Sequence, residues 1–251
     1  MDLLDSTPAG EQNQSQNWNR GGERVVVSGG PVLLEGMLNG PPDARAIVVF
    51  AYDRMAQQEN IEGALTALAR VDQQAGFVTL SVNLLTPEDE ALDRSTGFFR
   101  ENVEVLHQRV IGIANWLIDN ASNYQGISIG YFGVGVSGAA ILAAAEARPD
   151  AAHAIVAIDP RTDLVRSKLS QVATPTLLIA GEDNSAAGQR SREALSLLSS
   201  DTTLDSVAGM KELGLKNRLL LIQGISNIFD NQQALQTVGQ QASEWFTKHL
   251  I

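Results

Sequence analysis

The sequence predicts an α/β fold, with a mostly parallel twisted sheet of about eight strands, helices on both faces and an N-terminal β-hairpin. Three observations predict it. Short apolar, β-branched runs alternate along the chain with segments of helical periodicity, the order expected of a parallel sheet covered on both sides. Several runs are apolar throughout, as strands buried on two faces are, and none approaches the roughly 18 residues that cross a bilayer. The composition agrees, because 44% hydrophobic and 19% charged residues suit a globular domain and 251 residues can bury a substantial core.

The elements follow in order. Residues 1–22, MDLLDSTPAGEQNQSQNWNRGG, have little to bury and read as a disordered polar tail, leaving 23–251 as a single domain. That tail lacks the basic start and apolar stretch of a signal peptide, so a cytoplasmic location is expected. ERVVVSGG and PVLLEGML are two strands joined by Gly-Gly, a hairpin signal. ARAIVVFAY (44–52) is a buried strand, NIEGALTALARVDQQAG a helix with a glycine stop, and FVTLSVNLL (77–85) the next strand. Val103, Leu106, Val110, Ile113 and Leu117 then form one apolar stripe at three- and four-residue steps, which is a helix. GISIGYFG is a strand, a small-residue helix follows it, and HAIVAID (153–159) and TPTLLIAGED (174–183) are strands. The helix SREALSLLSS (191–200), the strand NRLLLIQG (217–224) and the helix NQQALQTVGQQASEWFTKHL complete the chain. In such sheets ligands bind beyond the carboxyl ends of the strands, so function is sought in those loops.

Charge and chemistry narrow the function. Eighteen basic against 29 acidic residues leave −11 at pH 7, which argues against nucleic acid and anionic membranes as partners. The absence of cysteine excludes disulfides, thiolate metal sites and a cysteine nucleophile. No metal cluster or phosphate-binding glycine loop of useful spacing occurs, so no cofactor is expected.

One stretch carries a stronger signal. GYFGVGVSGAAILAAAEARP (130–149) reads as strand, glycine-rich turn and helix, the setting of the G-x-S-x-G nucleophile elbow. Two registers fit. One puts Gly135 at the nucleophile position; the other puts Ser137 there, with Ala139 as the last small residue.

Over residues 48–195 the chain resembles a dienelactone-hydrolase-like branch of the α/β-hydrolase superfamily, a branch also found fused to phosphoribosyltransferase domains. The matching segments are LLTPEDEALDRSTG, IGYFGVGVSGAAILAAAEARPD, TPTLLIAGED and REAL. The resemblance implies an α/β-hydrolase fold. Aligned without a gap on Tyr131-Phe132-Gly133, it puts Gly135 under the family serine, fourteen residues before the helix-ending Pro149. It puts Asn227, in Gly224-Ile225-Ser226-Asn227-Ile228-Phe229, where the family carries its basic histidine. Asparagine accepts no proton near neutral pH and activates no alcohol. The three histidines, His107, His153 and His249, fall in secondary structure away from the catalytic loops, His153 at the start of a buried strand.

The family's glycine-rich oxyanion loop corresponds here to Tyr52-Asp53-Arg54-Met55, without glycine and with an added carboxylate. Val136, next to the elbow apex, completes that former oxyanion region. Asp183 matches the family acid, although an Asp before a helix also serves as its cap. Tyr52, Asp53, Arg54 and Asp183 are candidates to cluster at one mouth of the sheet. The reading is a hydrolase scaffold with vestigial triad positions Gly135, Asp183 and Asn227. It would bind a small polar ligand or a protein partner, with no membrane insertion. The alternative is a serine hydrolase of small esters or lactones using Ser137.

Overall fold

The computed structural model describes residues 22–41, 44–53, 61–119, 126–198, 202–206 and 216–251. The expected N-terminal tail therefore lies, but for Gly22, outside the described residues. Strands β1 (Glu23–Ser28), β2 (Leu33–Asn39) and β3 (Ala46–Tyr52) are followed by helix α1 (Ile61–Gln74) and strand β4 (Val78–Asn83). Helices α2 (Pro87–Thr96), α3 (Phe98–Glu101) and α4 (Val103–Asp119) come next, then β5 (Ser128–Val134), α5 (Gly135–Ala147) and β6 (Ala154–Ile158). The chain continues with β7 (Thr176–Gly181), α6 (Ser185–Leu197), β8 (Thr202–Ser206), β9 (Asn217–Ile222) and α7 (Gln232–Leu250).

The strands form one sheet in the order β1-β2-β4-β3-β5-β6-β7-β9-β8. β1 pairs antiparallel with β2, the expected hairpin, and β2 antiparallel with β4; every other neighbour is parallel. Among the described residues there are nine strands, one more than the eight apolar runs read from sequence. The addition is β8, Thr-Thr-Leu-Asp-Ser, a polar edge strand paired only with β9. Helix α6 begins at Ser185, six residues before the predicted start. Helix α2 carries strong local signals: Thr86 caps it in a capping box with Asp89, and Gly97 ends it at φ +66.

Two apolar layers flank the sheet. Val49, Tyr131, Ile155 and Leu178 point to the layer under α4 and α5, with Leu106, Ile113 and Ile141. Their strand neighbours Val48, Phe132, Val156 and Ile179 point to the opposite layer, with Leu68 of α1 and Val238 and Phe246 of α7. Strand alternation and two-sided burial together explain the uninterrupted apolar runs. Phe50 and Phe132 stack at 4.6 Å between centroids, tying β3 to β5 beneath the site. A Cβ at Gly130 would stand 2.8 Å from Phe246, so the bare strand there is what lets α7 lie close.

Candidate functional site

The junction of β5 and α5 sets the site. Val134 is extended (φ −126, ψ 141), and the chain turns into α5 at Gly135 with φ +55. Among the described residues a Cβ on Gly135 would meet nothing within 4 Å, so on their account the apex is open. Its flanks are tight: at Gly133 a Cβ would stand 2.9 Å from the Ser137 carbonyl, and at Gly138 3.1 Å from Pro160. Small residues on either side let strand and helix backbones approach, while the apex requires glycine only for its backbone angle. The Arg161 N–H donates to the Gly135 carbonyl at 2.9 Å, fixing the β6 loop beside the apex.

Ser137 lies in the first turn of α5, wholly buried, and donates from Oγ to Asp53 Oδ2 at 2.6 Å. Asp53 directly follows β3, whose Ala51 pairs with Gly133 of β5. Tyr52 packs against the α1/α7 layer, and its carbonyl accepts from the Leu84 N–H at 2.7 Å. Val136 is buried in the α4/α5 layer. Arg54 and Met55 lie outside the described residues.

The other candidate residues lie farther along the sheet, after β7 and β9. Asp183 is exposed after β7, and its N–H donates to the Ile225 carbonyl at 3.1 Å. The Glu182 N–H donates to Ile222 at 2.9 Å, so the loops after β7 and β9 are joined. The cap expected of Asp183 is supplied instead by Asn184, whose side chain accepts from the Ala187 N–H. The helix starts one residue too late for Asp183 to reach its first free N–H groups. Asn227 is exposed; its Oδ1 accepts from the Phe229 N–H, and its Nδ2 donates to Asp230 Oδ2 at 2.7 Å.

Between these two groups lies Asp159, at the end of β6, which the sequence reading passed over. Among the described residues it is the one non-glycine with positive φ, +43. Burial pushes its carboxyl up to about 6, against a hydrogen bond from the Gly181 backbone and the charge of Arg190. Its Oδ1 is buried without a hydrogen-bond partner among the described residues. The available signal was an Asp-Pro pair closing a buried strand, a place where strained, functional backbone gathers.

The histidines stand elsewhere. His107 is buried on α4, where desolvation holds its pKa below the ordinary value. His153 precedes β6 and is exposed rather than part of a buried strand; its Nδ1 accepts from the Ile129 N–H. His249 rests against the Trp245 ring on α7. Among the described residues no group of three or more potential ligands could hold a metal, and no helix is long and apolar enough to cross a membrane.

The chain is 35% identical to a dienelactone hydrolase from Anabaena variabilis of known structure, covering 92% of this chain and 98% of that one with a TM-score of 0.78. The chain belongs to the dienelactone hydrolase family. This member of the family also matches, at 33% identity over 229 residues, a Mycobacterium tuberculosis protein provisionally named a phosphoribosyl transferase, known from two strains. The match covers 91% of the chain but only 46% of that protein, so the chain spans about half the length of the curated relatives it matches. An esterase domain from Rhodothermus marinus superposes with a TM-score of 0.64 at 13% identity, over 91% of this chain and 99% of that one, a likeness of fold alone. No protein-family model matches the chain.

Proposed function

We propose that this dienelactone hydrolase family member is non-catalytic, a binding or scaffold protein that works through the pocket around Gly135 or through its acidic surface. The observation that carries the reading is Gly135 itself. It stands at the turn from β5 into α5 with φ +55, with no described residue within 4 Å of where a nucleophilic side chain would start, and it has none. Covalent acyl transfer needs a nucleophile with a base in hydrogen-bond reach. Asn227, at the base position, is exposed, tied to Phe229 and Asp230, and takes up no proton. The Asp53 carboxylate, held near the apex by Ser137, opposes the negative charge that a tetrahedral intermediate develops.

The competing reading is a hydrolase of small esters or lactones through Ser137. In its favour stands the 35% identity to a dienelactone hydrolase. Against it stands the burial of the Ser137 hydroxyl, which is already committed to Asp53 and presents no face to a substrate.

Turnover of activated aryl esters separates the two. The folded protein is expected to hydrolyse them no faster than its denatured control, and a fluorophosphonate probe to leave it unlabelled. Labelling at Ser137 that the Ser137→Ala variant abolishes would overturn the non-catalytic reading.

A further inference from the structure

Helix α1 packs on α7, β4 and β3, and it is lightly anchored there. Among the described residues it gives only Leu68 and Ala69 to the apolar layer, whereas α7 gives Val238, Ala242, Trp245 and Phe246 among others. The two helices lie close, since a Cβ added at Gly239 of α7 would stand 3.1 Å from Val71. Into this seam the chain puts an acid. Asp72 is 1% exposed, accepts a hydrogen bond from the Ser243 hydroxyl of α7, and has no partner for its Oδ1 among the described residues. A buried carboxyl with an unpartnered oxygen costs far more as an anion than as a neutral acid. Burial accordingly pushes its pKa up to about 8. The ionisable side chains described on the packed elements are Arg70 of α1, Tyr52 of β3, and Glu244, Lys248 and His249 of α7; β4 has none. Arg70, Glu244 and Lys248 are exposed, and the Asp72 carboxyl feels its burial and Ser243 but no charge from this set.

We propose that the seam between α1 and α7 is a proton-operated latch: with Asp72 protonated α1 lies docked, and loss of that proton lets α1 lift as a unit while the rest of the fold stays closed. The latch does not depend on whether the Gly135 turn is catalytic. Once α1 lifts, Asp72 meets water and returns to its ordinary value near 3.8. The lifted state is then ionised above about pH 4, whereas the docked state holds its proton up to about pH 8. Lifting therefore becomes easier as pH rises from about 4 to 8, by at most about tenfold per pH unit, and levels off above 8. It is local because few described apolar side chains bind α1, and the layer under α4 and α5 lies on the other side of the sheet. Lifting uncovers Leu68, Ala69 and the part of the α7 layer that they cover.

Amide hydrogen exchange on the full chain between pH 5 and 9, corrected for the intrinsic pH dependence of exchange, tests the latch. Amides from Leu68 to Gln74 report α1, and those of α4 report opening of the whole fold. In wild type the α1 opening constant is expected to rise at least about tenfold from pH 5 to 8 and to flatten above 8. The α4 amides should stay at least about tenfold better protected, and low urea should weaken their protection while leaving that of α1 nearly unchanged. In Asp72→Asn the α1 opening constant should vary by less than about twofold over the same range. Asp72→Ala also removes the titration and should give the same flat profile should the asparagine variant fold poorly. Ser243→Ala keeps the carboxyl and should keep the rise. A wild-type α1 opening constant that does not change with pH, the same rise in both Asp72 variants, or α1 and α4 amides that open together at every pH overturns the proposal. Ester turnover by wild type would sink the non-catalytic reading and leave the latch standing on the exchange data.

Discussion

Gly135 has φ +55 with nothing among the described residues within 4 Å of where a Cβ would stand, so a side chain there meets strain but none of these neighbours. Gly133 is the reverse: it has ordinary strand geometry, but an added Cβ would press on the Ser137 carbonyl and on Ile141 at 2.9 Å. Gly135→Ser is therefore expected to fold and to lose about 1–3 kcal/mol, the usual cost of a left-handed non-glycine residue. Gly133→Ala should lose more, because backbone must move to admit it. Urea unfolding of the two variants beside wild type checks the order. A Gly135→Ser protein less stable than Gly133→Ala would mean that the apex is not open.

At the scale of elements, the packing of α1 on α7 hides an acid. Asp72 is 1% exposed, it hydrogen-bonds Ser243 of α7, and its Oδ1 has no partner among the described residues. Burial pushes its carboxyl up to about 8, against the lowering by Ser243. A folded pKa above the unfolded value of 3.8 means that the folded state holds the proton more tightly. The stability from this group is complete below about pH 4 and is lost progressively as pH rises toward 8. Asp72→Asn keeps the hydrogen-bonding shape and removes the titration. It should gain on wild type between pH 5 and 8, by on the order of 1–3 kcal/mol at the upper end, in urea melts. A difference that does not grow with pH would show that Asp72 is solvated or paired as a carboxylate.

For the molecule as a whole, buried acids compete with paired ones. Asp72 and Asp159 are raised by burial and favour the folded state at low pH. Asp163 is lowered by its hydrogen bond from Arg161. Asp89 is lowered too, since the hydrogen bonds from Arg109 and Thr86 outweigh its burial. Both of these give up their stabilisation as pH falls below about 4. The net charge of −11 adds self-repulsion that grows as the remaining acids ionise. Maximum stability is therefore expected between about pH 4 and 6, with a lower urea midpoint at pH 8 than at pH 5. Combining Asp72→Asn with Asp159→Asn should flatten that decline. A wild-type midpoint rising steadily from pH 5 to 8 would contradict the account.

Much of this fold was legible in the chain because its signals are local. The runs around Val48, Phe132, Val156 and Ile179 are largely apolar on both faces, as a strand covered on both sides requires. The stripe from Val103 to Leu117 repeats at helical steps. The polar edge strand β8 was missed, since Thr202–Ser206 owes its conformation to pairing with β9 rather than to any pattern of its own. The cap of α6 fell to Asn184 rather than Asp183 because the first residue of a helix is decided by where the preceding strand delivers the chain. Composition and spacing singled out Gly135, Ser137, Asp53, Asp183 and Asn227 one by one, but which of them touch depends on strand order. Because β3 lies directly beside β5, Asp53 reaches Ser137; because β7 lies beside β9, the Asp183 backbone joins the loop that carries Asn227. The sequence determined the elements and the residue types at their ends, through periodicity and side-chain chemistry that act over a few residues. The tertiary structure alone decided the bond between residues 84 apart and the strained, half-buried Asp159, because only the assembled sheet sets which strand ends are neighbours and which carboxyls lose their water.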